Sequence, residues 1–259
     1  MLVSVYQRAA FYAASGKVYL VAAEGCLWLI IICKGFGLIY AIGDIHGCSK
    51  ALKALMAKLP LHPADQLVFL GDYIDRGPDS RGVVDFLMAN QMPGWTFLRG
   101  NHEQMFLEWY TRPSPETAAN WMMNGGYQTL QSYIPAIHLN DIRGEPAHIM
   151  LKAQIPTDHV AFLSATTNSL ETPDYFFCHA GIDPARPLND QDPDDLLWIR
   201  QKFIDSLRPM PKLILYGHTP VEETDLTGDR INLDTGCVYG GCLTAMSLPD
   251  KKLYQAKQS

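Results

Sequence analysis

Five times along this chain a short apolar run ends on a glycine-flanked cluster of Asp, Asn or His. The clusters are Gly43-Asp44-Ile45-His46-Gly47, Gly71-Asp72-Tyr73-Ile74-Asp75-Arg76-Gly77, Arg99-Gly100-Asn101-His102-Glu103, Cys178-His179-Ala180-Gly181 and Tyr216-Gly217-His218-Thr219. An apolar run that breaks at glycine reads as a buried strand turning sharply into a loop. Such strands, alternating with amphipathic segments, restrict the chain to an α/β fold. Open α/β sheets collect their ligands in the loops at the carboxyl ends of their strands.

Hydrophobic residues make up 47% of the 259 and charged residues 19%, which supplies a sizeable core and argues against disorder. The net charge is −6 and no stretch is strongly basic, so a nucleic-acid backbone is not the expected partner. The six cysteines, at 26, 33, 48, 178, 237 and 242, form no Cys-x-x-Cys pair. They read as free thiols in a reducing compartment, and the expected localisation is cytoplasmic.

The first 37 residues stand apart. The run 18–33 is apolar but short, and Glu24 interrupts it, whereas a spanning helix wants about 20 clean apolar residues. Three readings stay open for it: a membrane anchor or uncleaved signal, an extra strand or helix packed on the domain, or sequence upstream of the true start. Membrane contact is expected only under the first. The domain itself is expected over 38–256.

Within 38–256 the pattern predicts strands over 38–42, 66–70 and 95–98, and helices over 48–59, 80–89 and 103–110. Residues 113–160 read as a helical insertion or cap, with a turn at Asn124-Gly125-Gly126. Strands resume over 175–178, 212–216, 230–233, 243–248 and 253–255. No long helices separate these late strands, which predicts a second sheet of mixed direction.

The clusters offer two Asp, one Asn and three His as ligands, a mix suited to two divalent ions. Asp44 and His46 would share one side of an extended chain and grip one ion with Asp72. Asp72 would bridge to a second ion held by Asn101, His179 and His218. Oxygen and nitrogen ligands without thiolate favour manganese, with iron or zinc as alternatives. His102 is placed to protonate a leaving alkoxide, with Asp75 orienting it. Arg76 offers a fork for phosphate oxygens, and Arg200 is the second candidate clamp; Asn101 also borders the phosphate position.

Other polar residues are expected to do less. Arg99 reads as a support for the Asn101 loop, Glu103 as a helix-start residue or a carboxylate behind the ligands, Asp65 as a turn residue, and His62, His138, His148 and His159 as surface or loop residues. Asp192, Asp194 and Asp195 read as a solvated acidic loop.

The five clusters, in this order, resemble the phosphoprotein phosphatases within the calcineurin-like metallophosphoesterases, in their compact bacterial and bacteriophage branch. The resemblance spans about 38–256 and includes Asn124-Gly125-Gly126 with Thr129-Leu130, 196–200 and Asp234-Thr235-Gly236 with Tyr239-Gly240-Gly241. It implies a two-sheet β-sandwich flanked by helices, a dinuclear metal centre and direct hydrolysis by a metal-bound hydroxide. It also implies the acid role of His102 with Asp75 and phosphate binding by Arg76. The Ser-Ala-Pro-Asn-Tyr stretch of eukaryotic members is missing, so their regulation is not carried over.

A related group cleaves dinucleoside tetraphosphates symmetrically. It usually lacks the Asp seen here at 75 and closes the third motif with Asp, where this chain has Glu103. The expected activity is therefore a serine/threonine protein phosphatase acting on phosphoprotein or phosphopeptide, with the tetraphosphatase as alternative. A non-catalytic metal-binding scaffold is the remote alternative, and no ligand or acid is missing to support it.

Overall fold

The computed structural model describes residues 9–13, 16–23, 26–30, 37–138 and 145–258. Near the N-terminus, β1 (Ala9–Ala13), β2 (Gly16–Ala23) and β3 (Cys26–Ile30) pair as an antiparallel meander. The described part of the apolar 18–33 run is thus strand. No helix among the described residues is long and apolar enough to cross a membrane.

Two mixed sheets follow. The first carries β4 (Ile39–Ile42), β5 (Gln66–Phe69), β6 (Trp95–Phe97), β11 (Leu243–Leu248) and β12 (Lys252–Ala256) in the order β12-β11-β4-β5-β6. The second carries β7 (Ser169–Glu171), β8 (Tyr175–Cys178), β9 (Leu213–Tyr216) and β10 (Arg230–Asn232) in the order β10-β9-β8-β7. Strands β4, β5 and β6 run parallel, as do β8, β9 and β10. Each set therefore ends at a common edge.

Successive strand residues point to opposite faces, and both faces here are buried. Ala41, Val68, Leu70, Phe177, Leu215, Ile231 and Met246 fill the space between the sheets. Their neighbours Tyr40, Ile42, Leu67 and Phe69 face the helices over the first sheet. Phe176, Cys178, Ile214 and Tyr216 face outward over the second, against Leu196, Ile199 and Phe203. Burial on both sides is why these strands read as continuous apolar runs rather than alternating ones.

Helices α1 (Ser49–Lys58), α2 (Ser80–Asn90) and α3 (Asn101–Thr111) follow β4, β5 and β6 in the chain. The Asp79 side chain caps α2 by accepting the Gly82 N–H at 3.0 Å. The insertion supplies α4 (Pro115–Trp121), α5 (Tyr127–Tyr133), α6 (Glu145–Lys152) and α7 (Thr157–Ser164). Short helices α8 (Pro193–Trp198) and α9 (Gln201–Ile204) cover the second sheet.

Three expectations need correction. The late strands do not form one sheet: β11 and β12 return to pair with β4, because their buried faces complete the inter-sheet core and the α1 layer. Asn124-Gly125-Gly126 marks the expected turn: Gly125, at φ +103°, kinks the chain between α4 and α5. Asp192 and Asp194 are solvated as expected, but the stretch is no loop: Asp192 is the N-cap of α8, and Asp194 and Asp195 occupy that helix's first turn, where carboxylates favour the dipole. His159 is buried between Tyr133 Oη at 2.8 Å and Asp85 Oδ1 at 3.0 Å, and His148 packs on Trp109. Cys48, Cys178, Cys237 and Cys242 are free thiols, as expected; the side chains of Cys26 and Cys33 lie outside the described residues.

Candidate active site

Loops at the strand ends deliver the candidate residues to one place. Asp44 and His46 follow β4, Asp72, Asp75 and Arg76 follow β5, His179 follows β8 and His218 follows β9. Asn101 and His102 open α3 rather than lying in a loop, so the helix fixes their directions. All of these except Arg76 are buried.

Asp72 sits at the middle. Its Oδ2 lies 3.3 Å from His46 Nε2 and 3.9 Å from His102 Nε2, and its Oδ1 lies 3.4 Å from His179 Nε2. Asn101 Oδ1 lies 2.9 Å from His179 Nε2 and 3.0 Å from His218 Nδ1. Two groups of potential metal ligands result, His46–Asp72–His102 and Asp72–His179–His218, each with its ligand atoms within 4.8 Å of one another. Asp72 belongs to both.

Asp44 arrives differently from the sequence expectation. The chain is not extended between Asp44 and His46, since His46 has φ +44°. The Asp44 carboxylate instead accepts the backbone N–H of His218 at 3.1 Å, across a close approach to Gly217. Any side chain at 217 would collide with that carboxylate.

The backbone orients the imidazoles. Nδ1–H of His46 donates to the Ile74 carbonyl and that of His179 to the Leu70 carbonyl, both at 2.9 Å. Nε2 of each then faces Asp72, and it is the nitrogen a metal would take once it carries no proton. Burial pushes His46 down to about 3 despite the Asp72 charge, so the ring is neutral. Burial works against a charged His179, but Asp72 outweighs it and raises the ring to about 9. Asp72 is itself held well below the usual carboxylate range, against its burial, by His179, His102 and His46. Burial, then Asp234, push the Asp44 carboxyl well above its usual range.

These residues fit a pair of divalent cations. His102 Nε2 and His218 Nε2 are buried without a hydrogen-bond partner. Three buried carboxylates, Asp44, Asp72 and Asp234, crowd the same pocket of charge. A cation offsets both penalties.

The backbone is strained at the same place. Among the described residues six non-glycine positions have positive φ, and five are His46, Asp72, Asp75, Arg76 and His218. Such conformations cost roughly 1 kcal/mol or more each and cluster where side chains must be aimed.

Asp75 Oδ2 accepts from His102 Nδ1 at 2.7 Å. Arg76 Nη1 reaches His46 Nε2 at 2.8 Å, and the Tyr239 ring lies 5.8 Å from its guanidinium carbon. Arg200 stands at the exposed rim, where Nη1 donates to Thr219 Oγ1 at 3.0 Å beside His218. Glu103 and Arg99 support the site as expected. Glu103 is buried and accepts the backbone N–H groups of Asp72, Tyr73 and Gly100 at 2.8–2.9 Å. Arg99 ties to Thr166 and Ser164.

Three contributors escaped sequence reasoning. Trp121 and Thr129 donate to Asp75, and Asp234 adds a carboxylate beside Asp44. Asp234 had a signal, an Asp-Thr-Gly at a strand end. Thr129 stood in the stretch of resemblance beside Asn124-Gly125-Gly126 without an assigned role, and a lone Trp in a helical stretch had no signal.

The sequence pattern of the calcineurin-like phosphoesterase family matches residues 37–245. The chain belongs to that family. Among relatives of this calcineurin-like phosphoesterase is serine/threonine-protein phosphatase 1 of Salmonella typhimurium, 31% identical over 217 residues, with 82% of this chain and 92% of that one covered. Another is the asymmetrical bis(5'-nucleosyl)-tetraphosphatase PrpE of Geobacillus thermodenitrificans, 28% identical over 232 residues, covering 81% and 89%. A solved structure assigned provisionally as a diadenosine tetraphosphatase superposes with TM-score 0.64 at 24% identity, covering 86% of this chain and 94% of that one. That likeness speaks for the fold of this phosphoesterase and not for its substrate.

Proposed function

We propose that this phosphoesterase is a phosphomonoesterase acting on phosphoserine and phosphothreonine in proteins, with two divalent cations. The observation that carries the reading is the position of Asp72 in both ligand groups, beside an Asp75–His102 pair whose Nε2 is bare. Asp44, His46 and Asp72, with Asn101, His179 and His218, would hold the ions, manganese first. Bound there, the ions supply the Lewis acidity that activates water and neutralises phosphate oxygens.

The chain's own groups do the rest. Arg76 and Arg200 bind phosphate oxygens and orient the ester. His102 gives the Nε2 proton to the departing serine or threonine oxygen. Burial pushes His102 down to about 4, with Asp72 pulling the other way. A phosphate dianion beside Nε2 favours the protonated ring in the substrate complex. Asp75 and Glu103 at their motif positions, and the relative named as a serine/threonine phosphatase, support the choice of substrate. The free thiols suit a reducing compartment such as the cytoplasm.

A second reading, dinucleoside tetraphosphate hydrolysis, is favoured by two exposed rings at the rim. Trp198 packs edge-on to His218 and Tyr239 lies over Arg76, and both are open for a base to stack on. The dinucleotide relatives are named asymmetrical hydrolases rather than symmetrical ones.

Phosphate release from a phosphoserine peptide and cleavage of diadenosine tetraphosphate, measured in parallel with Mn²⁺, separate the two. Higher kcat/KM on the peptide is expected; preference for the dinucleotide overturns the first reading.

A further inference from the structure

We propose that Trp121 is a positioning residue for the acid: it locks the Asp75 carboxylate so that His102 Nε2 keeps its aim at the substrate. The inference rests on the acid role proposed above for His102.

Asp75 has two carboxylate oxygens and three side-chain donors around them. His102 Nδ1 donates to Oδ2 at 2.7 Å, and Thr129 Oγ1 donates to Oδ1 at 2.6 Å. The Trp121 indole N–H spans the pair, 2.9 Å from Oδ2 and 3.0 Å from Oδ1. Indole N–H can only donate, so it holds the carboxylate as an acceptor. A carboxylate pinned from both oxygens cannot turn about Cβ–Cγ without losing a bond. The imidazole it anchors therefore keeps one ring orientation, with Nδ1 protonated and Nε2 free.

Trp121 is itself immobile. It is fully buried, its ring lies 4.5 Å from the Trp109 ring and 5.3 Å from Phe106, and a side chain at Gly126 would overlap it. It ends α4, in the helical insertion, 46 positions from Asp75. The kink that follows docks on the next residue, since the Gly125 carbonyl accepts the Arg76 N–H at 3.2 Å. Thr129, on α5, also accepts the Asp75 N–H at 2.9 Å. The insertion thus builds the far wall of the acid pair and seats the backbone of the phosphate clamp.

Trp121→Phe keeps an aromatic ring, though a smaller one, and removes the donor. On the metal-loaded full chain, kcat for a phosphoserine peptide should fall about 10- to 100-fold, the span for a lost hydrogen bond to a charged group. Hydrolysis of 4-nitrophenyl phosphate, whose leaving group needs no proton, should fall less than about twofold. KM and metal content should hold. In an Asp75→Asn background the same change should cost nothing further, since the carboxylate it acts through is gone. Equal loss on both substrates, or loss that adds to Asp75→Asn, overturns the proposal. If Trp121→Phe does not fold, Thr129→Val carries the same test. His102→Asn run alongside separates the levels: if it shows no leaving-group selectivity, the acid reading itself fails. If it is selective and Trp121→Phe is not, only the positioning role fails.

Discussion

His102 and Asp75, 27 positions apart, share a hydrogen bond of 2.7 Å in which both side chains are wholly buried. The bond takes Nδ1 and leaves Nε2 as the imidazole nitrogen facing Asp72. His102→Asn should retain both metals while kcat on a phosphoserine peptide drops about 10²- to 10⁴-fold, the usual worth of a general acid. An aryl phosphate should suffer far less. Comparable losses on the two substrates would remove His102 from the acid role.

Asp72 is the shared member of both ligand groups. Asp72→Asn should therefore empty the centre and abolish activity together, beyond the roughly 10- to 100-fold cost of changing a ligand's support. Metal analysis of the purified variant checks this. A variant that keeps two ions per chain would mean the bridge lies elsewhere.

Arg76 contacts His46 and lies under Tyr239 at the mouth of the site. If its guanidinium grips phosphate in ground and transition states alike, Arg76→Ala should raise KM and lower kcat. A charge-assisted hydrogen bond of about 1.5–3 kcal/mol predicts about 10- to 100-fold in kcat/KM. Steady-state kinetics with both constants unchanged would place the clamp at Arg200 alone.

Glu103 joins three backbone N–H groups from two loops. Glutamine offers one acceptor oxygen where the carboxylate offers two, so Glu103→Gln should strand at least one buried N–H. The expected loss is about 1–3 kcal/mol in urea unfolding, with weaker metal binding because Asp72 loses its backbone anchor. Unchanged stability would show that the loops hold their shape without it.

Asp44, Asp72 and Asp234 crowd negative charge in a buried space. Chelation should lower the melting temperature and Mn²⁺ should restore it, since a ligand at 100 times its Kd adds about 2.7 kcal/mol. A melting curve indifferent to chelator would argue that these carboxylates are neutralised by protons instead.

The sequence by itself determined the strands that carry the site, because a strand buried on both faces must be apolar throughout and its glycine break marks the loop. It also singled out the candidate ligand residues and the Asp75–His102 pair, since each stands at such a break. Tertiary structure decided everything that joins distant segments. The return of Leu243–Leu248 to pair with Ile39–Ile42 depends on which apolar face completes the core, and strand composition does not encode a partner. The burial of His159 between Tyr133 and Asp85, the approach of Asp44 to the His218 backbone and the seating of Trp121 on Asp75 are contacts between side chains and backbone groups that only folding brings together. Local periodicity reports which residues are buried; which buried residues meet is fixed by packing.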